Sequence, residues 1–169
     1  MLRLNRILSP RLIPAPLHRW LLRGAHRLRI AWWRLRRPLA LGVSMIARDE
    51  AGRVLLIRQS YGSRAWSLPG GGIRSGEDPA RAAVREFTEE LGCPVTAVQP
   101  LAIRDEALHG ATNRVHLFTA RLAGEPHPDG REVVEAQLFP LDALPPDLGR
   151  RVKERLALLG EPNSSTRSS

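Results

Sequence analysis

Glu86, Glu89 and Glu90 stand at steps of three and four residues near the end of the segment PARAAVREFTEEL. At about 100° per residue they share one face of a helix, with nothing basic between them. Like charges at that spacing oppose helix formation by a few tenths of a kcal/mol per pair, roughly. Glu89 and Glu90 also lie in the last turn, where the helix dipole disfavours anions. Local rules broken in this way mark a functional constraint. Three hard oxygen ligands on one face suit a divalent cation such as Mg²⁺. A solvated acidic face is the competing reading.

The elements that must position these acids are legible around them. Asp78 can cap the free N–H groups of a helix start, Pro79 needs no N–H there, and Gly92 supplies a stop. Ala80, Ala83, Val84, Phe87 and Leu91 recur on a different side as a core-facing stripe. Upstream, the run from Trp66 to Gly72 (WSLPGGG) predicts a tight loop that exposes its backbone. Such a loop brings carbonyls or N–H groups close to a metal or a phosphate.

From Gly71 to Cys93 the chain resembles the Nudix hydrolase family, whose signature is G-x5-E-x7-R-E-U-x-E-E-x-G-U with U bulky and apolar. Gly71, Glu77, Arg85, Glu86, Phe87, Glu89, Glu90, Gly92 and Cys93 fall in register without a gap. Cys93 is the one soft departure, standing where an aliphatic residue is usual; a buried thiol serves as a small hydrophobe. The resemblance covers about Leu39 to Leu159. It implies an α/β fold, the Nudix α/β/α sandwich with a mixed sheet, and hydrolysis of a diphosphate bond in a nucleoside diphosphate linked to X.

The chemistry explains the motif. Attack by water on a diphosphate is opposed by the substrate's own charge, which metal ions offset while they orient the phosphates. By the resemblance, Glu86, Glu89 and Glu90 hold Mg²⁺, with Mn²⁺ as a substitute, and a backbone carbonyl at Gly70 or Gly71 adds a ligand. Arg85 and Glu77 orient these carboxylates. The general base is Glu86 or an acid outside the signature; Glu132 and Glu135 are the candidates, with Glu135 favoured as the later acid of the closing segment. Arg58, at the end of a strand, either meets a substrate phosphate bidentately or faces solvent. Tyr61, Trp66 and Phe118 could stack on a base, with core packing the competing assignment for Trp66 and Phe118. His109, His116 and His127 form no ligand spacing.

At 169 residues there is room for one domain with a core, plus a small appendage. Net charge is +9, unevenly spread: residues 1–48 hold eleven arginines and no acid, while from Asp49 onward 15 Arg+Lys face 17 Asp+Glu. Cys93 is the sole cysteine, which excludes an intrachain disulfide or a cysteine-built zinc site and fits a reducing cytosol. No apolar run approaches the ~20 residues of a bilayer span. Pro and Arg interrupt any secretory leader. A cytoplasmic location, with peripheral membrane attachment as a variant, is the expectation.

Between Pro16 and Pro38, Leu17, Trp20, Leu21, Ala25, Leu28, Trp32 and Leu35 recur at helical steps, with Arg19, Arg23, Arg27 and Arg34 opposite. This predicts a basic amphipathic helix over residues 17–37. Its candidate roles are attachment to an anionic membrane surface, packing on the domain or in a homodimer, and an organellar presequence. A Nudix-fold binding or regulatory module, tethered by this arm to a membrane or nucleic acid, is the alternative to an enzyme. Such modules usually lack signature glutamates, and this chain has them all. No specific nucleic acid partner is expected.

Leu39–Ile46 and Val54–Ile57 predict a hairpin about a turn at Asp49–Gly52. Val95–Arg104, Arg114–Leu122 and the segment Glu132–Pro140 predict further strands, and Pro146–Leu159 a terminal helix. The domain therefore runs over 39–160, after an arm at 1–38 and before a disordered tail at 161–169.

Overall fold

The computed structural model describes residues 39–108 and 111–160. The expected amphipathic helix at 17–37, His109 and the tail at 161–169 lie outside these described residues. Five strands, β1 (Leu39–Arg48), β2 (Val54–Gln59), β3 (Val95–Leu108), β4 (Ala111–Leu122) and β5 (Val133–Phe139), form one sheet in the order β3-β4-β1-β2-β5. Helix α1 (Pro79–Leu91) follows β2, and helix α2 (Arg150–Ala157) follows β5, ending in a 3₁₀ turn at Leu158–Gly160.

The sheet is mixed. β1 and β4 run parallel, from Leu39 opposite Thr112 to Arg48 opposite Arg121, and the other pairs are antiparallel. A parallel pair needs a long crossover, and α1 lies within it. Alternation along the strands builds a core on each face. Val43, Met45, Leu55 and Ile57 pack on Ala83, Phe87 and Leu91 of α1. Ile46, Val54 and Leu56 pack on Trp66, Leu148 and the α2 residues Val152 and Leu156. Strands covered on both faces carry no polar alternation, which is why β1 reads as a plain apolar run.

The hairpin forms about Asp49, whose carboxylate accepts from the Arg53 N–H at 2.8 Å, but β1 and β2 pair directly only at Arg48 and Val54. Beyond that point they part, and the segment from Ser67 to Ile73 passes between them. Ile57 exchanges both backbone bonds with Ser67 at 2.9 Å. On the other side, the Val43 N–H donates to the Gly71 carbonyl at 2.9 Å and the Met45 N–H to the Pro69 carbonyl at 3.0 Å. The glycine loop is thus held by strand-like bonds on both edges.

β3 and β4 are longer than expected and pair as an antiparallel hairpin from Val95 opposite Leu122 to Leu108 opposite Ala111. The terminal helix is shorter: it begins at Arg150 rather than Pro146. Two of the four residues before it bond to Trp66 instead. The Asp147 carbonyl accepts from the Trp66 N–H at 3.1 Å, and the Gly149 N–H donates to the Trp66 carbonyl at 3.2 Å.

Candidate active site

α1 is set as its caps dictate. The Asp78 side chain accepts from the Arg81 N–H at 3.0 Å, and Gly92 ends the helix in the left-handed conformation at φ 58°. Ala83, Phe87 and Leu91 are buried, with Ala80 and Val84 packed beside them. Ala82 is also buried, a position outside the expected stripe. It starts a ridge that continues four and eight residues on at Glu86 and Glu90. That ridge runs against the glycine loop, so the acids enter the fold progressively. The Glu89 side chain is 54% exposed, that of Glu86 is 19% exposed, and Glu90 as a residue is only 5% exposed.

Each acid is held. The Gly70 N–H donates to Glu90 Oε2 at 3.1 Å. The Glu86 carboxylate fills the space where a Cβ on Gly71 would lie. Arg85 is the hub: its guanidinium forks onto Glu77 at 2.7 and 2.8 Å, donates to Glu86 at 2.6 Å and Glu89 at 3.3 Å, and donates to the Gly72 carbonyl at 3.0 Å. Arg74 adds a longer contact to Glu89 at 3.4 Å. Among the described residues, no three acidic side chains already converge on one point at coordinating distance. Glu86 and Glu90 share the ridge, and Glu89 reaches outward to its arginines.

The electrostatics follow this geometry. Burial pushes the Glu90 carboxyl well above its ordinary value; the Gly70 N–H works the other way, and the charges of Glu86, Glu132 and Asp129 push it up further. A buried carboxylate with acids around it is a site that a cation would relieve. Glu77 is the opposite case, held down to about 2 by the Arg85 fork, with the Arg74 N–H helping. Its ordinary value is about 4.3. A depressed acid contributes stability above its unfolded value and loses it as the pH falls through the folded one. The melting temperature should therefore decline between about pH 4.5 and 2 in the wild type, and less steeply in Glu77→Gln; equal slopes in thermal melts would reject the pairing.

Of the two candidate carbonyls, that of Gly71 accepts the Val43 N–H, whereas no hydrogen bond among the described residues falls on that of Gly70. The two candidate bases separate as well. Glu132 lies close enough to Glu90 for its charge to be felt there. Its turn is organised by Asp129, whose carboxylate accepts the N–H groups of Arg131, Glu132 and Val133 at 3.0, 3.0 and 2.9 Å. The Asp129-Gly130 pair, a turn signal, is the sequence feature that could have pointed to this support.

Glu135 is not brought to the cluster. It sits opposite Arg58 in the β2–β5 register and pairs with it at 3.3 Å. Arg58 lies 4.5 Å from the Trp66 ring centroid and donates to Asp147 at 2.7 Å and to the Arg64 carbonyl at 3.2 Å. Trp66 belongs to the core on the α2 side, so Arg58 and Glu135 share that face, across the sheet from α1. Arg58 therefore braces the loop instead of reaching toward the carboxylates. Trp66 and Phe118 are core residues, 3% and 5% exposed. Tyr61 and His116 are half-buried and His127 is exposed.

A mixed sheet between two helices, with an arginine-braced row of glutamates against a glycine loop, defines the class. The NUDIX domain family model matches residues 38–159, and the chain belongs to the Nudix family. It is 38% identical to an isopentenyl-diphosphate Delta-isomerase of Frankia alni over 120 residues, 63% of this chain and 61% of that protein. It is 47% identical to an RNA pyrophosphohydrolase of Dinoroseobacter shibae over 67 residues, 38% of this chain and 41% of that protein. The match thus spans less than two thirds of either relative. Among solved structures, the MutT NUDIX hydrolase from Burkholderia pseudomallei superposes with a TM-score of 0.67 at 27% identity, over 73% of this chain and 99% of that one.

Proposed function

We propose that this protein is a divalent-metal-dependent hydrolase that cleaves a diphosphate bond in a nucleotide derivative, with Mg²⁺ as the metal and Mn²⁺ as a substitute. The observation that carries this reading is Glu90, a carboxylate buried beside Glu86 and bonded to the backbone of the glycine loop. Glu86, Glu89, Glu90 and the Gly70 carbonyl would hold the cation; Glu89, half exposed, would exchange its longer contacts to Arg85 and Arg74 for the metal. When bound, the metal supplies neutralisation of the diphosphate charge and a more acidic water.

The protein's own residues do the rest. Arg85, locked by Glu77, fixes the Glu86 carboxylate, so its angle to the loop is set before substrate arrives. A water oxygen attacks one phosphorus, the bridging P–O bond breaks, and the water's proton passes to a carboxylate. Glu132 is the acceptor best supported outside the signature, because it neighbours Glu90. Glu132→Gln should lower kcat by about 10²–10⁴-fold, as one positioned proton acceptor does, while Glu135→Gln stays within a few-fold. The reverse order in steady-state assays would return the role to Glu135, and a loss at Glu86 alone would move it into the signature.

The family resemblance and the relatives' names together set the substrate panel. Purified protein with Mg²⁺ should be offered ADP-ribose, dinucleoside polyphosphates, nucleotide sugars, oxidised nucleoside triphosphates, 5′-triphosphorylated RNA and isopentenyl diphosphate. Release of a mononucleotide or of phosphate products supports hydrolysis. An isomerase shifts a proton within its substrate and releases no phosphate, so conversion of isopentenyl diphosphate without phosphate release would overturn the reading.

A further inference from the structure

A second site lies away from the carboxylates, on the α2 side of the sheet. There a cavity of about 610 Å³ opens between the end of β1, the segment before α2 and the end of α2. That volume is within the ~300–1,000 Å³ of small-molecule pockets. Its walls are apolar: Leu141, Leu144, Pro145 and Pro146 on one side, Leu156 and Leu159 on the other. The two prolines have fixed φ, which makes that wall pre-formed and lowers the ordering entropy of binding. Leu141 remains 41% exposed, an apolar surface with nothing over it among the described residues.

Among the described residues, only two charged side chains line the cavity, Arg48 and Lys153, and neither has an ion-pair partner there. By contrast, Arg53, Arg85 and Arg155 hold carboxylates. Two unpaired cations at the edge of an apolar cavity, with no acid lining it, call for a ligand that is anionic at one end and apolar at the other.

The chain's own termini fit poorly. Residues 1–38 hold ten arginines and no acid, so Arg48 and Lys153 would repel the arm. The residues after Gly160, EPNSSTRSS, have no large apolar side chain to meet the leucines. The geometry points to a binding site for a single-chain anionic amphiphile, an alkyl chain carrying a phosphate or carboxylate head, separate from the diphosphate site.

The test is calorimetric titration of the full-length protein with dodecyl phosphate, laurate and uncharged dodecyl maltoside, each below its micelle-forming concentration. Dodecyl phosphate or laurate should bind at one per chain, and whichever binds more tightly identifies the head group. The double variant Arg48→Glu, Lys153→Glu should weaken that anion at least tenfold. Leu141→Gln, at an exposed position, should weaken it with the charges intact. Neither change touches the carboxylate cluster, so diphosphate hydrolysis and thermal melts serve as controls for folding. Three results overturn the site: no saturable binding of either anion, an affinity unchanged by charge reversal, or binding that appears only after residues 161–169 are removed.

Discussion

Replacing Glu90 with Gln should lower diphosphate hydrolysis by roughly two to four orders of magnitude and, at the same time, raise the melting temperature of the metal-free protein. A metal ion contributes several kcal/mol to the transition state, and about 1.4 kcal/mol is a factor of ten in rate. Gln is nearly isosteric and its carbonyl still accepts the Gly70 N–H, so the loop is not released. The opposite sign on stability comes from the buried charge. Burial holds the Glu90 carboxyl well above its ordinary value. An acid so raised contributes stability below its unfolded value, about 4.3, and loses it as the pH rises through the folded one. At neutral pH a Gln there removes that penalty. Added Mg²⁺ should then raise the melting temperature of the wild type more than that of the variant. A Glu90→Gln protein that turns over normally, or that melts lower without metal, would contradict the role given to this residue. Such a trade between stability and activity is what a built site produces.

Three neighbouring glycines should separate into three phenotypes. A Cβ on Gly70, at φ 151°, would run into the Val43 carbonyl and the Ser44 Cα of the central strand. Backbone cannot yield as a side chain does, so Gly70→Ala should destabilise by about 1–3 kcal/mol or more and displace the free carbonyl. Activity should fall at least a hundredfold. A Cβ on Gly71 would meet the Glu86 carboxylate first, the far end of a side chain rather than backbone. Gly71→Ala should therefore keep nearly normal stability while losing activity, because Glu86 is pushed off its place. Gly72 has nothing within 4 Å of such a Cβ, and Gly72→Ala should be silent in both assays. Thermal melts beside kcat for the three variants check the order; an active Gly71→Ala protein would remove Glu86 from the site.

Much of this was legible in local sequence. α1 was bounded by Asp78 and Gly92 because capping is chemistry between near neighbours, and its acids were marked by spacing alone. The central strands β1 and β2 were legible as apolar runs, since both of their faces are covered. What escaped was non-local. Nothing in residues 67–73 says that they pass between β1 and β2, because that placement is made by bonds to Val43, Met45 and Ile57. The side on which Glu135 falls depends on its register with Arg58, set just before a bulge between Arg58 and Gln59. Chain order, on which Glu135 is favoured over Glu132, carries no information about sheet faces. The start of α2 was misplaced for a similar reason: Asp147 and Gly149 bond to Trp66, some eighty residues away.

In the proposed mechanism the ridge of Glu86 and Glu90, with Glu89 beside it, makes a cation site on which hydrolysis depends. The most direct measurement is the rate of diphosphate hydrolysis by the full-length protein as a function of free Mg²⁺, with a chelator arm and Mg²⁺ added back. The expected result is saturable activation, loss of activity with chelator and recovery when the metal returns, with the activation curve displaced in Glu86→Gln. Turnover that persists undiminished in chelator, or an activation curve identical in wild type and Glu86→Gln, would contradict it.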